Sequence, residues 1–227
     1  MISDFLFGSE AAAAVSPRFI MPAPADNIAW MLDHSYRYWV QTRHGDYDPA
    51  RVEAPIRRVA EILAGDCKAT RSGILLCGHP GTGKSTLLRA IMRTINISRD
   101  YAAYKDYIRA HGGGVKRYLS TGYVSAEEYA TLIARYPDTE KANEIPATMV
   151  LAVDDIGEEP LEVNSYGTTR YPVRDIISRR YDLQLFTLLA SNLTPAELTA
   201  KYGTRLGDRL AEMCEVVTMT GESFRRR

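Results

Sequence analysis

The sequence is most tightly constrained at Gly78-His79-Pro80-Gly81-Thr82-Gly83-Lys84-Ser85, which satisfies G-x-x-x-x-G-K-[ST] at every fixed position. The apolar run Ile74-Leu75-Leu76-Cys77 precedes it and Thr86-Leu87-Leu88-Arg89-Ala90-Ile91-Met92 follows, so a buried strand feeds the loop and a helix leaves it. A polyphosphate needs backbone N–H groups that point inward, and glycines let a loop make that turn at close approach. On this reading Gly78, His79, Pro80, Gly81, Thr82, Gly83, Lys84, Ser85 and Thr86 form a nucleoside triphosphate cradle. Lys84 would reach the β- and γ-phosphates, Ser85 would ligate Mg²⁺, and the helix N-terminus would face the anion.

A chain of 227 residues, 45% of them hydrophobic, is long enough to bury one sizeable core. Its 28 basic and 28 acidic side chains cancel, so any nucleic-acid contact must be local. Cys67, Cys77 and Cys214 are widely spaced with no C-x-x-C pair, which argues against a zinc site or a disulfide framework and reads as three small hydrophobes. No apolar run reaches bilayer length, and the start Met1-Ile2-Ser3-Asp4-Phe5 lacks the basic flank of a signal peptide, so a cytoplasmic protein with no membrane partner is expected.

Residues 1–50 read as an N-terminal arm or adaptor, and residues 51–227 as the globular domain. The arm carries Ala11 to Ala14, Pro17, Pro22 and Pro24 before the aromatics Trp30, Tyr36, Tyr38 and Trp39. Asn27 to Val40 has the pattern of a short amphipathic helix whose aromatics either pack on the core or meet a partner. Asp48-Pro49 opens a helix in which Val52, Ile56, Val59 and Leu63 recur at helical spacing toward Gly65. Beyond the phosphate loop, the tyrosine-rich insertion Ile97 to His111 closes on Gly112-Gly113-Gly114, and Val115 to Thr121 reads as a strand. Cations and tyrosines interleave from Arg99 to Tyr118, as on a base-stacking surface or on a solvated helix face with packed tyrosines. The capping box Ser125-Ala126-Glu127-Glu128 then starts a helix that ends before Pro137.

Met149-Val150-Leu151-Ala152-Val153-Asp154-Asp155 is a continuous apolar run that ends in two carboxylates, the signature of a buried parallel strand with its carboxyl end at a site. Magnesium needs hard oxygen ligands beside the phosphates, which makes Asp154 the candidate to hold the ion and Asp155 the candidate to orient and deprotonate the attacking water. Leu185 to Ala190 forms a third strand ending in Ser191-Asn192. Asn192 either bonds the attacking water or γ-phosphate, or simply begins the turn before the helix capped by Thr194-Pro195-Ala196-Glu197. Tyr166 to Pro172 reads as a loop, and Arg174, Arg179 and Arg180 either meet a neighbour's nucleotide or single-stranded DNA, or line a solvated helix face.

Taken in order, Gly78 to Ser85, Val153-Asp154-Asp155-Ile156-Gly157, Ser191-Asn192-Leu193, Tyr202 to Leu210 and Gly221-Glu222-Ser223-Phe224-Arg225 resemble the AAA+ ATPases of the DnaC-like helicase-loader and IstB-like transposition-helper group. The resemblance spans roughly residues 50 to 227. It implies an α/β fold with a RecA-like parallel P-loop sheet flanked by helices, and an assembly in which one subunit's arginine completes the neighbour's ATP site. Lys84 and Ser85 then match Walker A, Asp154 and Asp155 match Walker B, and Asn192 matches sensor 1. Arg209 matches the arginine finger with Arg205 second, and Arg225 sits at the place of a sensor 2 arginine, against the alternatives of salt-bridged helical arginines and a basic tail. Asp155 stands where many AAA+ proteins carry glutamate, and its shorter arm points to slow hydrolysis. The implied function is ATP- and Mg²⁺-dependent loading of a replicative DNA helicase onto single-stranded DNA by a self-associating ATPase. An IstB-like transposition helper, or a nucleotide-binding adaptor with negligible turnover, are the alternatives.

Overall fold

The computed structural model describes residues 19–43, 45–65, 71–98 and 120–221. Five strands form one parallel sheet in the order β2-β3-β6-β1-β7: β1 (Gly73–Cys77), β2 (Thr121–Ser125), β3 (Val150–Asp154), β6 (Phe186–Ser191) and β7 (Cys214–Thr218). Every residue of β1, β3 and β6 is buried, as expected of central parallel strands covered on both faces, whereas β2 and β7 at the edges are only partly buried.

Alternation along these strands divides the interior into two cores. Ile74, Leu76, Val150, Ala152, Leu188 and Ala190 face one side, where they meet α1 (Ala25–Gln41), α2 (Glu53–Ala64) and α3 (Lys84–Ser98). Leu75, Cys77, Leu151, Val153 and Leu189 face the other side. There they meet α4 (Ala126–Arg135), α5 (Glu140–Ala147), α6 (Pro172–Asp182), α7 (Pro195–Tyr202) and α8 (Thr204–Met213). The result is the expected α/β architecture, a helix–sheet–helix sandwich.

The described part of the N-terminal segment is built into the first core. Phe19 packs its ring against Phe186 with centroids 5.1 Å apart, and Ile28, Leu32 and Tyr36 of α1 are buried, while Trp30 and Tyr38 stay exposed. The aromatics of this helix therefore divide between core and surface. Cys77 and Cys214 are free and buried, and burial pushes their thiols up to about 11 and about 12, so both behave as the small hydrophobes the sequence suggests; Cys67 lies outside the described residues. Among the described residues no helix is long and apolar enough to cross a membrane.

Several sequence expectations are corrected. Asp48-Pro49 caps a single 3₁₀ turn (Pro49–Arg51), and α2 starts only at Glu53, because Val52 leaves helical geometry (φ −120°, ψ −10°) to bury its side chain in the core. A strand runs over Thr121–Ser125; of the strand expected over residues 115–121, residues 115–119 lie outside the described residues, as does most of the tyrosine-rich insertion. Ser125 closes this strand and also caps α4 through the capping box with Glu128. The segment read as a loop at Tyr166 is an antiparallel hairpin, β4 (Val163–Ser165) and β5 (Thr168–Arg170), because Tyr166 and Gly167 both take positive φ (50° and 81°) at a tight two-residue turn.

Arg180 departs most from expectation. Neither solvated nor at a ligand surface, it has no exposed area and donates to Thr187 Oγ1 (2.8 Å), Pro146 O (3.0 Å), Thr148 O (2.6 Å) and Phe186 O (2.7 Å). Burial draws its pKa down to about 9, still above neutrality, so it enters the core as a cation whose donors satisfy carbonyls between α5, β3 and β6. Arg180→Ala strands those acceptors and is expected to cost about 3 kcal/mol or more, since each buried unpaired group costs about 1–3 kcal/mol. A urea unfolding midpoint equal to the wild-type value would contradict this role.

Candidate nucleotide-binding site

The site lies where the carboxyl ends of β1, β3 and β6 converge. Parallel register sets Cys77 opposite Ser191 and Val153 opposite Leu189, so the phosphate loop, the paired aspartates and Asn192 all leave the sheet at one edge. In the loop, Gly81 (φ 84°) and Gly83 (φ 91°) occupy left-handed backbone that other residues adopt at a cost. Gly78 is fixed by proximity instead: a Cβ there would collide with the carbonyl of Met219, whose N–H donates to Cys77 O at 2.7 Å.

Lys84, at the first turn of α3, is only 4% exposed and donates to Gly78 O (2.7 Å) and His79 O (2.9 Å) of its own loop. The ammonium thus rests on carbonyl oxygens at the helix N-terminus, where phosphate oxygens would offer it full negative charge. Ser85 Oγ donates to Asp154 Oδ1 at 3.1 Å, the Asp155 N–H donates to the same oxygen at 3.0 Å, and the Tyr123 hydroxyl donates to Oδ2. Burial raises the Tyr123 pKa above the ordinary phenol value, and the Asp154 hydrogen bond and charge raise it further, so the phenol remains a donor to the carboxylate.

Among the described residues no cluster of three or more His, Cys, Asp or Glu side chains exists that would hold a metal ion by itself. The convergent hydroxyl of Ser85 and carboxylate of Asp154 instead fit Mg²⁺ carried in on phosphate oxygens, which needs only one or two protein ligands.

Asp155 sits at φ 54° with an exposed side chain, in the turn that Glu158 N closes on Asp155 O at 3.2 Å. Asn192 does more than begin a turn, since its Nδ2 donates to Glu158 Oε1 at 2.9 Å. Ser191 Oγ donates to Ile156 O (2.6 Å) and accepts from Leu193 N (3.0 Å), tying the end of β6 to the turn after β3. The Glu197 carboxyl is held below the usual range by hydrogen bonds from the Thr194 N–H and the Thr194 hydroxyl.

A polar cluster beside the site has no counterpart in the sequence pattern. Glu159, 3% exposed, accepts from Gly157 N (2.8 Å) and Tyr202 OH (2.5 Å), while Lys201 Nζ donates to Gly157 O (2.6 Å) and Glu159 O (2.9 Å) and lies 4.0 Å from Glu159 Oε1. The turn carrying Asp155 is thereby clamped to the end of α7, immediately before α8. Nothing in the sequence marks Glu159 apart from Glu158; only its partners more than 40 positions later do.

The arginines on α8 are not brought to the phosphate loop of their own chain. Arg209 pairs with Asp182 Oδ1 at 3.5 Å and lies 5.0 Å from the Tyr181 ring centroid, at the end of α6, and Arg205 is exposed. Arg225 lies outside the described residues.

No family model and no curated protein matches this sequence. Solved structures do. The chain is similar to the DnaC helicase loader, at 18% identity over 81% of this chain and 99% of that one, with a TM-score of 0.54. It is also similar to a putative primosome component from Streptococcus pyogenes serotype M3, at 22% identity over 85% of this chain and 91% of that one, with a TM-score of 0.55. The chain shares the fold of these two proteins.

Lys84→Ala is expected to weaken nucleotide binding by about 2–3 kcal/mol, roughly 30- to 150-fold in Kd, because it removes charge-assisted bonds to phosphate. Titration with a fluorescent ATP analogue reads this directly, and undiminished affinity would refute the assignment of the loop.

Proposed function

We propose that this chain is an ATP-dependent DNA replication factor that loads a replicative helicase onto single-stranded DNA. The observation that supports this most is the meeting of Ser85 and Asp154 beneath a glycine loop, with Asn192 at the next strand end, in a fold it shares with a helicase loader along nearly that protein's whole length. In this reading Lys84 exchanges its two loop carbonyls for β- and γ-phosphate oxygens. Ser85 and Asp154 hold Mg²⁺, which when bound supplies positive charge to the phosphates.

Asp155 orients the attacking water and accepts its proton. Its short arm makes turnover slow, and the protein acts as a switch more than as a metabolic catalyst. Asn192 bonds the attacking water or the γ-phosphate in place of Glu158. Arg209, with Arg205 second, serves the ATP of a neighbouring copy, since a guanidinium beside the γ-phosphate stabilises charge that develops in phosphoryl transfer. Arg225 would supply a sensor 2 arginine. ATP thereby favours self-association and strand binding, hydrolysis favours release, and residues 1–50 supply the helicase contact.

Co-elution with the replicative helicase of the same cell tests the function. Association with ATP and its loss with ADP are expected; no association in any nucleotide state, with ATP binding verified, would move the assignment to a transposition helper. Arg209→Ala is expected to keep the ATP affinity of the isolated subunit but to lower turnover of the assembly by about 1,000-fold or more, within the range lost with trans-acting arginines. Mixing it with Lys84→Ala subunits is expected to restore activity, and failure to do so between normally assembling variants would contradict the trans role.

A further inference from the structure

The outer face of α3, the adjoining face of α1 and the edge strand β2 enclose two neighbouring cavities of about 470 and 730 Å³ that share Arg93 and Ile97 in their walls. No Asp or Glu among the described residues lines either cavity, whereas Arg37, Arg89 and Arg93 do. Arg37 pairs with Asp33 at 3.4 Å, which leaves Arg89 and Arg93 as the cations that set the charge of these walls. The arginines alternate with flat aromatic faces: Arg89 lies 4.2 Å from the Tyr123 ring centroid and 5.9 Å from that of Trp39, and Arg93 lies 4.1 Å from that of Tyr38. Arg89 and Trp39 line the smaller cavity, and Arg89 Nε and Trp39 Nε1 are shielded from solvent with no acceptor among the described residues. The Glu128 carboxylate feels Arg89 electrostatically, but it is already committed to the Ser125 N–H of the α4 cap.

Walls without an acid among the described residues, and interleaved guanidinium and aromatic planes, together suit a ligand with both flat rings and phosphate oxygens. An acidic peptide would satisfy the arginines and leave the aromatic faces unused. Tyr123 belongs to this wall and to the ATP site at once, since its ring carries Arg89 while its hydroxyl donates to Asp154. A ligand that repositions Arg89 therefore acts on a side chain bonded to the carboxylate proposed to hold magnesium.

We propose that the Trp39–Arg89–Tyr123 groove binds a segment of single-stranded nucleic acid, and that Tyr123 transmits its occupancy to Asp154. The binding site stands on the groove alone; the link to Asp154 rests on the ATP reading above.

The test uses the full chain carrying Trp30→Phe, which leaves Trp39 as the sole tryptophan. Titration with a short oligo(dT) is expected to quench Trp39 saturably and with strong salt dependence. Replacing Arg89 and Arg93 by Ala is expected to weaken the oligonucleotide at least about tenfold, with binding of a fluorescent ATP analogue retained as the check on folding. In Tyr123→Phe, oligo(dT) still binds but no longer shifts the Mg²⁺ midpoint for the ATP analogue. Oligonucleotide binding seen by anisotropy without Trp39 quenching, and equal in the arginine variant, would overturn the groove assignment. So would quenching by a polyglutamate peptide in place of oligo(dT), or by neither. An oligonucleotide-dependent Mg²⁺ shift that survives in Tyr123→Phe would overturn the link. Quenching in a wild-type chain that fails to bind the ATP analogue would sink the ATP reading and leave the groove standing.

Discussion

The parallel register that places β6 between β1 and β3 is the constraint on which the site depends. It sets three strand ends level, so a serine hydroxyl and a carboxylate from segments about 70 residues apart meet within hydrogen-bond distance, with Ser85 Oγ 3.1 Å from Asp154 Oδ1. The register is itself secured by burial. A one-residue slip of β3 would exchange Ala152 with Leu151 and Val153 between the two cores and carry Asp154 to the wrong face. Arg180 reinforces the opposite ends of the same strands by bonding carbonyls that lead into β3 and β6.

From this edge, side-chain bonds run outward in two directions. One passes from the turn after Asp155 through Glu159, Lys201 and Tyr202 to the start of α8, which carries Arg205 and Arg209. The other passes from Asp154 through Tyr123 to Arg89 and Trp39 at α1. A change of charge at Asp154 or in the turn after it therefore has a physical route to the helix that carries Arg205 and Arg209 and to the N-terminal helix.

Local chemistry was legible in the sequence wherever it repeats over a few residues. The phosphate loop, the apolar strand ending in Asp154, the Ser125 and Thr194 capping boxes and the amphipathic α1 all carry their own signal, and each stands close to where the pattern places it. What the sequence could not show is set by contacts between distant segments. Tyr123 precedes Asp154 by 31 positions and Glu159 precedes Tyr202 by 43, and neither pair has a spacing to detect. Arg180 looked like part of a solvated face because Arg179 beside it is charged too, yet helical geometry turns Arg180 toward the sheet. Asn192 is partnered by Glu158, a carboxylate that no local pattern marks as its acceptor.

In an ATP site, the partners of Lys84, Ser85 and Asp154 give way to a bound nucleotide. The most direct measurement is a crystal structure with Mg²⁺ and a non-hydrolysable ATP analogue. It should show Lys84 Nζ withdrawn from the Gly78 and His79 carbonyls onto phosphate oxygens, with the ion between Ser85 and Asp154 and Asn192 released from Glu158. An analogue bound elsewhere, or bound over a loop in which Lys84 still holds both carbonyls, would contradict it.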